Sequence, residues 1–134
     1  MSHACRFPPE FFRALEQFNA EEYFACHETL EELWIPERDA IREVYQGILH
    51  AAVACHHLVE RANWRGAERQ LGRAIRRLSP WLPRIESVDL ARLHSDCQRL
   101  RSHLQALGPE RVREYDPSLL PRISFSVPTS YREF

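Results

Sequence analysis

Apolar residues return at three- and four-residue steps along most of the chain, the period at which side chains come back to one face of an α-helix. Phe11, Phe12, Leu15 and Phe18 follow Pro8 and Pro9, so the spacing predicts a short first helix opened by proline in its first turn. Asn19, with Glu22 three residues on, reads as a capping-box start of a second helix over about 20–34. Its apolar arc is Tyr23, Phe24, Leu30 and Trp34, and it ends before Pro36. From Glu37 to about Ala62 the series Ile41, Val44, Tyr45, Ile48, Ala52, Cys55, Leu58 and Val59 predicts one long helix. Residues 48–54 are apolar or small nearly all round, and the alanines with Gly47 let neighbours approach closely, so this helix is expected to be central. Asn63 caps a fourth helix that turns Ala67, Leu71, Ala74, Ile75 and Leu78 inward until residues 79–83 stop it. The last helix starts from Ser87 or Asp89 and carries Leu90, Leu93, Cys97, Leu100, Leu104 and Leu107 before Gly108 and Pro109 end it.

No stretch alternates with period two long enough to build a sheet, and the connections are short. The expected fold is therefore all-α: a single-domain bundle of about five helices with a central helix, spanning residues 1–113. Beyond Tyr115 the period disappears, interrupted by Pro117, Pro121 and Pro128. Residues 114–134 are expected to form an extended, irregular tail packed on the bundle or on a partner, because Leu119, Leu120, Ile123, Phe125 and Val127 are too apolar to be solvated.

Composition narrows the function classes. The chain has 134 residues; 18 basic side chains stand against 19 acidic ones, a net charge of -1 that gives no overall field to gather nucleic acid or an anionic membrane. At 44% hydrophobic and 28% charged it can bury a core. The longest apolar run, 51–55, falls far short of the roughly 20 residues that span a bilayer, and the opening residues lack a secretory apolar core, so a cytoplasmic protein is expected. Every basic residue is arginine, which removes lysine Schiff-base and nucleophile chemistry. Cys5, Cys26, Cys55 and Cys97 form no C-x-x-C pair, and the last three fall in helical patterns where a free thiol packs as a small apolar group. Residues 1–67 hold eleven acidic residues against six arginines, and residues 68–134 hold eight against twelve. Acidic and basic helices side by side would account for this, as would an acidic-to-basic contact in a homodimer.

The densest candidate chemistry is the stretch His27 to Trp34. The helical period places His27 among Tyr23, Leu30 and Trp34, with Glu31 one turn on and Glu28 at the margin. A carboxylate near a core must be paired or hold something, so His27 and Glu31 either satisfy each other as a buried structural pair or line a polar notch. The pattern H-E-x-x-E resembles the zinc-protease H-E-x-x-H with Glu31 in place of the second histidine. On that reading His27 and Glu31, joined by His50 from the next helix, would hold a divalent metal ion as cofactor, and Glu28 would act as the base of a metal-dependent hydrolase. Gln46, His50, His57 and Arg61 share a side of the long helix; His50 and His57 are seven residues apart, too far along the axis to grip one ion. Arg65, Arg69, Arg73 and Arg76, with Arg77 and with Trp64 beside them, could track phosphates in a nucleic-acid module, or simply form a solvated or inter-helix salt-bridged face. His94 and His103 read as surface histidines.

Three motifs in order, at 18–34, 45–54 and 63–67, resemble the DUF309 family over about residues 18–83. The family pattern falls on His27, Glu28, Glu31, Glu32, Trp34, Gln46, Gly47, Asn63, Gly66 and Ala67. The resemblance implies a small all-α bundle and carries no established activity. The reading that follows is a binding or scaffold domain with a polar notch formed by His27, Glu28, Glu31, Trp34, Gln46, His50 and Asn63; the hydrolase and the arginine-striped nucleic-acid module are the alternatives.

Overall fold

A computed structural model describes residues 5–133; Met1 to Ala4 and Phe134, which the expected boundaries 1–113 and 114–134 include, lie outside the described residues. Five α-helices follow one another: α1 (Pro9–Asn19), α2 (Tyr23–Trp34), α3 (Arg42–Arg61), α4 (Trp64–Leu78) and α5 (Leu90–Leu107). Each packs chiefly on its neighbours in sequence, with α3 in contact with both α2 and α4, and α5 against α4. One core runs through all five, from Phe11, Phe12 and Phe18 through Leu30, Ile48 and Leu58 to Leu71, Leu93 and Leu104. Among the described residues no helix is long and apolar enough to cross a membrane.

The expected central helix is α3, and the reason is the small side chains along it: Gly47, Ala51, Ala52 and Ala54 are buried on different faces, so α2 and α4 can both close on it. Only Ala62 and Asn63 separate α3 from α4. Ala62 adopts the left-handed conformation, φ +47°, and its N–H and that of Asn63 cover the last carbonyls of α3 at Leu58 and His57. Asn63 then caps α4 by accepting from Gly66 N at 3.0 Å, and Asp89 caps α5 from Arg92 N, as their positions in the sequence predict.

Three expectations need correction. Asn19 does not open α2; it is the last residue of α1, and its side-chain amide pairs with the backbone of Ile123, giving 2.8 Å and accepting at 2.9 Å. A side chain with one donor and one acceptor can imitate a strand partner as readily as a helix cap, and here the tail takes it. The long helix starts at Arg42 and not at Glu37, because the Glu37 carboxylate accepts from the N–H groups of Arg38 and Asp39 and holds a turn there. A small three-stranded antiparallel sheet also exists: β1 (Arg84–Ile85), β2 (Val88–Asp89) and β3 (Ser124–Phe125), with β2 in the middle. Strands of two residues carry no readable alternation.

The segment after α5 lies along the bundle. Short 3-10 segments at Pro109–Glu114 and Pro117–Leu119 precede the β3 strand, and one at Thr129–Glu133 follows it. Ile123 is buried, and Tyr131 O–H donates to Phe7 O at 2.9 Å. The cysteines Cys26, Cys55 and Cys97 sit in the core as free thiols. Burial pushes the thiols of Cys26 and Cys55 up to about 12 and raises that of Cys97, so all three stay protonated and act as packing.

Candidate functional site

On α2 the apolar residues Tyr23, Cys26, Leu30, Leu33 and Trp34 share one arc, and His27 lies at its edge with Glu31, Glu28 and Glu32 beyond. The core takes Tyr23, Cys26 and Leu30. Choosing Cys26 turns the buried arc away from His27, and this corrects the expectation that His27 and Glu31 sit where core side chains belong. Their side chains are 27% and 43% exposed, and no polar or charged residue among those described is fully buried. The pair itself forms, with His27 Nε2 at 2.9 Å from Glu31 Oε2. A carboxylate can only accept, so Nε2 carries the proton, and in the neutral ring Nδ1 is left as an acceptor. That Nδ1 is out of water and has no partner among the described residues.

Trp34 lies half-buried one turn beyond Glu31, with the Arg42 guanidinium 5.2 Å from its ring centroid. Trp34 Nε1 and Arg42 Nε are also out of water and unbonded. Glu28 and Glu32 point to solvent on the same helix. Phe24 is 55% exposed, and its ring stands 5.8 Å from that of His27 and 5.6 Å from that of His56. Together with Tyr23 and Val53 these rings line a hollow of about 120 Å³. The site is a rim around α2 rather than a buried notch.

The remaining residues expected at the notch lie elsewhere. Gln46 is half-buried on α3. His50 Nδ1 donates to Gln70 Oε1 of α4 at 2.7 Å, and Asn63, which is exposed, caps α4 and lies 3.5 Å from His57 Nδ1. These contacts belong to a polar seam between α3 and α4. Glu43, His50 and His57 meet Arg77, Gln70 and Asn63, seven residues per step on each helix and running in opposite directions. A seven-residue step keeps each helix's contact line facing the other, so the seam fixes the register of the hairpin. Sequence reasoning placed Arg77 only in the arginine stripe and missed Glu43 and Gln70, although the paired series 43, 50, 57 and 63, 70, 77 was there to be read; Arg42 carried no such signal. Among the described residues no group of three His, Cys, Asp or Glu side chains is placed to hold a metal ion, so His27, Glu31 and His50 are not brought together. His94 bonds Ser79 Oγ, and His103 Nε2 accepts from Asp116 N.

Burial, with the charges of Arg77, Arg73 and Arg76, holds the His50 imidazole below its ordinary range against the opposing bond from Gln70. Burial, then His56 and Arg61, does the same for His57. A histidine with a depressed pKa binds its proton more readily in the unfolded chain, so its stabilising effect is complete above the unfolded value near 6.5 and is lost as pH falls below it. The urea midpoint is therefore expected to fall between pH 7.5 and pH 5, and the fall should shrink in His50→Gln. An equal or higher midpoint at pH 5 would contradict this account of the seam.

Comparison with known proteins gives the following. Residues 11–70 match the model described as Domain of unknown function (DUF309). The chain is also similar to "Uncharacterized protein YpuF" of Bacillus subtilis (strain 168), at 33% identity over 119 residues, 86% of this chain and 65% of that protein. The chain thus spans just under two thirds of the length of the relative it matches. No solved structure matches it. The matched residues include the whole α2 rim and the α3 side of the seam, and stop before the end of α4.

Proposed function

With residues 11–70 placed in the DUF309 family, we propose that the chain is a binding domain whose recognition face is the outer side of α2 with the start of α3. The observation that carries this reading is that, among the described residues, three of the four shielded polar side-chain atoms without a partner, His27 Nδ1, Trp34 Nε1 and Arg42 Nε, lie on α2 and the start of α3; the fourth, Tyr23 Oη, is also on α2. Each costs about 1–3 kcal/mol while unpaired, and a partner whose docking shifts the side chains that cover them would meet all three. Apolar anchors stand beside them: Phe24 and Ile35 are 55% and 63% exposed. The helical period puts Phe24, His27, Glu28, Glu31 and Ile35 along one side of α2, and Glu32 adds to its negative charge. A protein segment that is apolar and basic, with carbonyls to accept from the indole and guanidinium, has the matching chemistry. The His27 to Glu31 bond orients the imidazole so that Nδ1 can accept from such a segment.

The test is site-specific photo-cross-linking in the native cell. A photoreactive residue at position 24 or 35 is expected to capture a partner, and one at Arg99, exposed on α5, is not. Glu28→Arg with Glu32→Arg should abolish the adduct by charge reversal. His27→Ala should weaken it while costing less than about 1 kcal/mol of stability, because the pair it breaks is half-exposed. Adducts of equal yield from position 99, or a His27→Ala protein that loses several kcal/mol yet cross-links normally, would sink the reading and leave the dyad a structural pair.

A further inference from the structure

The last rung of the α3–α4 seam opens into a cleft of about 600 Å³ lined by Glu43, Arg73, Arg76, Arg77, Pro80 and Trp81. That is a volume in the range of small-molecule sites. Its electrostatics are lopsided. Three guanidinium groups face a single carboxylate, and the C-terminal end of α4 offsets only about half a charge.

The arginines are not used alike. Arg77 is bound to Glu43, and Arg101 on α5 is bound to Glu68, so inter-helix arginines in this bundle find carboxylates. Among the described residues Arg73 and Arg76 pair with none, although both stand exposed on the same wall. Two unpaired guanidinium groups one turn apart match the spread oxygens of a phosphate or diphosphate, which they can bind in bidentate fashion. Beside them the chain turns at Ser79–Trp81, and the half-buried Trp81, packed against the core, lines the same cleft. An indole wall beside a cationic wall suits a ligand that joins an anionic group to a flat ring. The summed field of Arg73, Arg76 and Arg77 is strong enough to be felt at His50, one rung along the seam.

We propose that this cleft is a binding site for a small phosphorylated ligand carrying a planar ring, of the nucleoside diphosphate class, with Arg73 and Arg76 holding the phosphates and Trp81 stacking on the ring. Arg77 is shared between the ligand and Glu43. The site is independent of the α2 rim, and all of its lining except Glu43 lies beyond the DUF309 match. A small ligand is favoured over a polynucleotide because the chain's net charge of -1 gives no overall field to gather a polyanion.

Calorimetric titration of the full chain at low salt with ADP, inorganic pyrophosphate, adenosine and a single-stranded oligonucleotide tests it. ADP is expected to bind, pyrophosphate to bind more weakly, and adenosine to give no heat. Arg73→Gln with Arg76→Gln should weaken ADP at least about tenfold. Trp81→Leu should weaken ADP and leave pyrophosphate unchanged. Glu43→Gln should tighten both, since it frees Arg77 and removes the opposing charge; a merely structural role for these residues would not produce a gain. Circular dichroism of each variant checks that it is folded. The proposal is overturned by no binding of ADP and pyrophosphate at millimolar concentration, by ADP binding that ignores the arginine substitutions, or by oligonucleotide binding without ADP binding. None of these outcomes bears on cross-linking from α2.

Discussion

Phe11→Ala is expected to destabilise the protein by about 3–5 kcal/mol, enough to threaten folding of a domain whose total stability is of order 5–15 kcal/mol. The ring is fully buried and stacks on Phe7 with centroids 4.0 Å apart. It meets Phe12 edge-on at 5.5 Å and Tyr45 of α3 at 5.5 Å. Phe12 in turn touches Phe125 and Tyr131, so this cluster fastens the segment before α1, the central helix and the C-terminal tail to one another. Truncation leaves a cavity among rings that cannot close over it, because each is held by a different element. Urea denaturation is the measurement: the midpoint should drop sharply, and Tyr131 should lose its near-ultraviolet signal as the tail loosens. A loss under about 1 kcal/mol would show that the cluster collapses and that the tail is anchored elsewhere.

Gly47→Val should cost about 3 kcal/mol or more by overpacking, and Gly47→Ala about 1–3 kcal/mol, although alanine on an ordinary exposed helix position gains about 1 kcal/mol over glycine. A Cβ at residue 47 would lie 2.6 Å from Leu78 Cδ2 and 2.8 Å from Leu78 Cγ. Leu78 is fully buried and has nowhere to go. The absent side chain is what lets α3 and α4 close far enough for the polar seam to form. The sign of the Gly47→Ala change is thus diagnostic, and a double-mutant cycle sharpens it. Leu78→Ala makes room, so the two alanine substitutions together should cost at least about 1 kcal/mol less than their sum. Strict additivity would mean that the helices are not in contact at that point.

Much of the fold was legible because helical burial is periodic. The positions of all five helices, the caps at Asn63 and Asp89 and the central place of α3 follow from residues whose geometry is local. Asn19 shows where that reasoning fails. Its amide serves equally as a cap or as a partner for extended backbone, and Ile123, 104 residues away, decides between them. The two-residue strands and the turn held by Glu37 are likewise too short to carry a period.

The candidate site was legible as a set of residue types and not as a place. His27 and Glu31 pair as their spacing requires. The expected arc of Tyr23, Phe24, Leu30 and Trp34 left out Cys26 and Leu33, which move its centre away from Phe24 and leave His27 and Glu31 at the edge of the buried side. The Arg42 contact with Trp34 and the Trp81 wall of the arginine cleft come from chain turns that no periodicity encodes.

By itself the sequence determined the helices, because a repeat of three and four residues commits each segment to a helix with one face hidden, and it determined the i to i+4 bond of His27 with Glu31. Tertiary structure decided how far α2 was turned, that His50 looks to Gln70 rather than to His27, and that Arg73 and Arg76 have no carboxylate partner among the described residues. The physical reason is range. Contacts within one turn are dictated by the pitch of the helix, whereas the rotation and register of one helix on another are settled by which of several nearly equivalent apolar faces fills the shared core most completely.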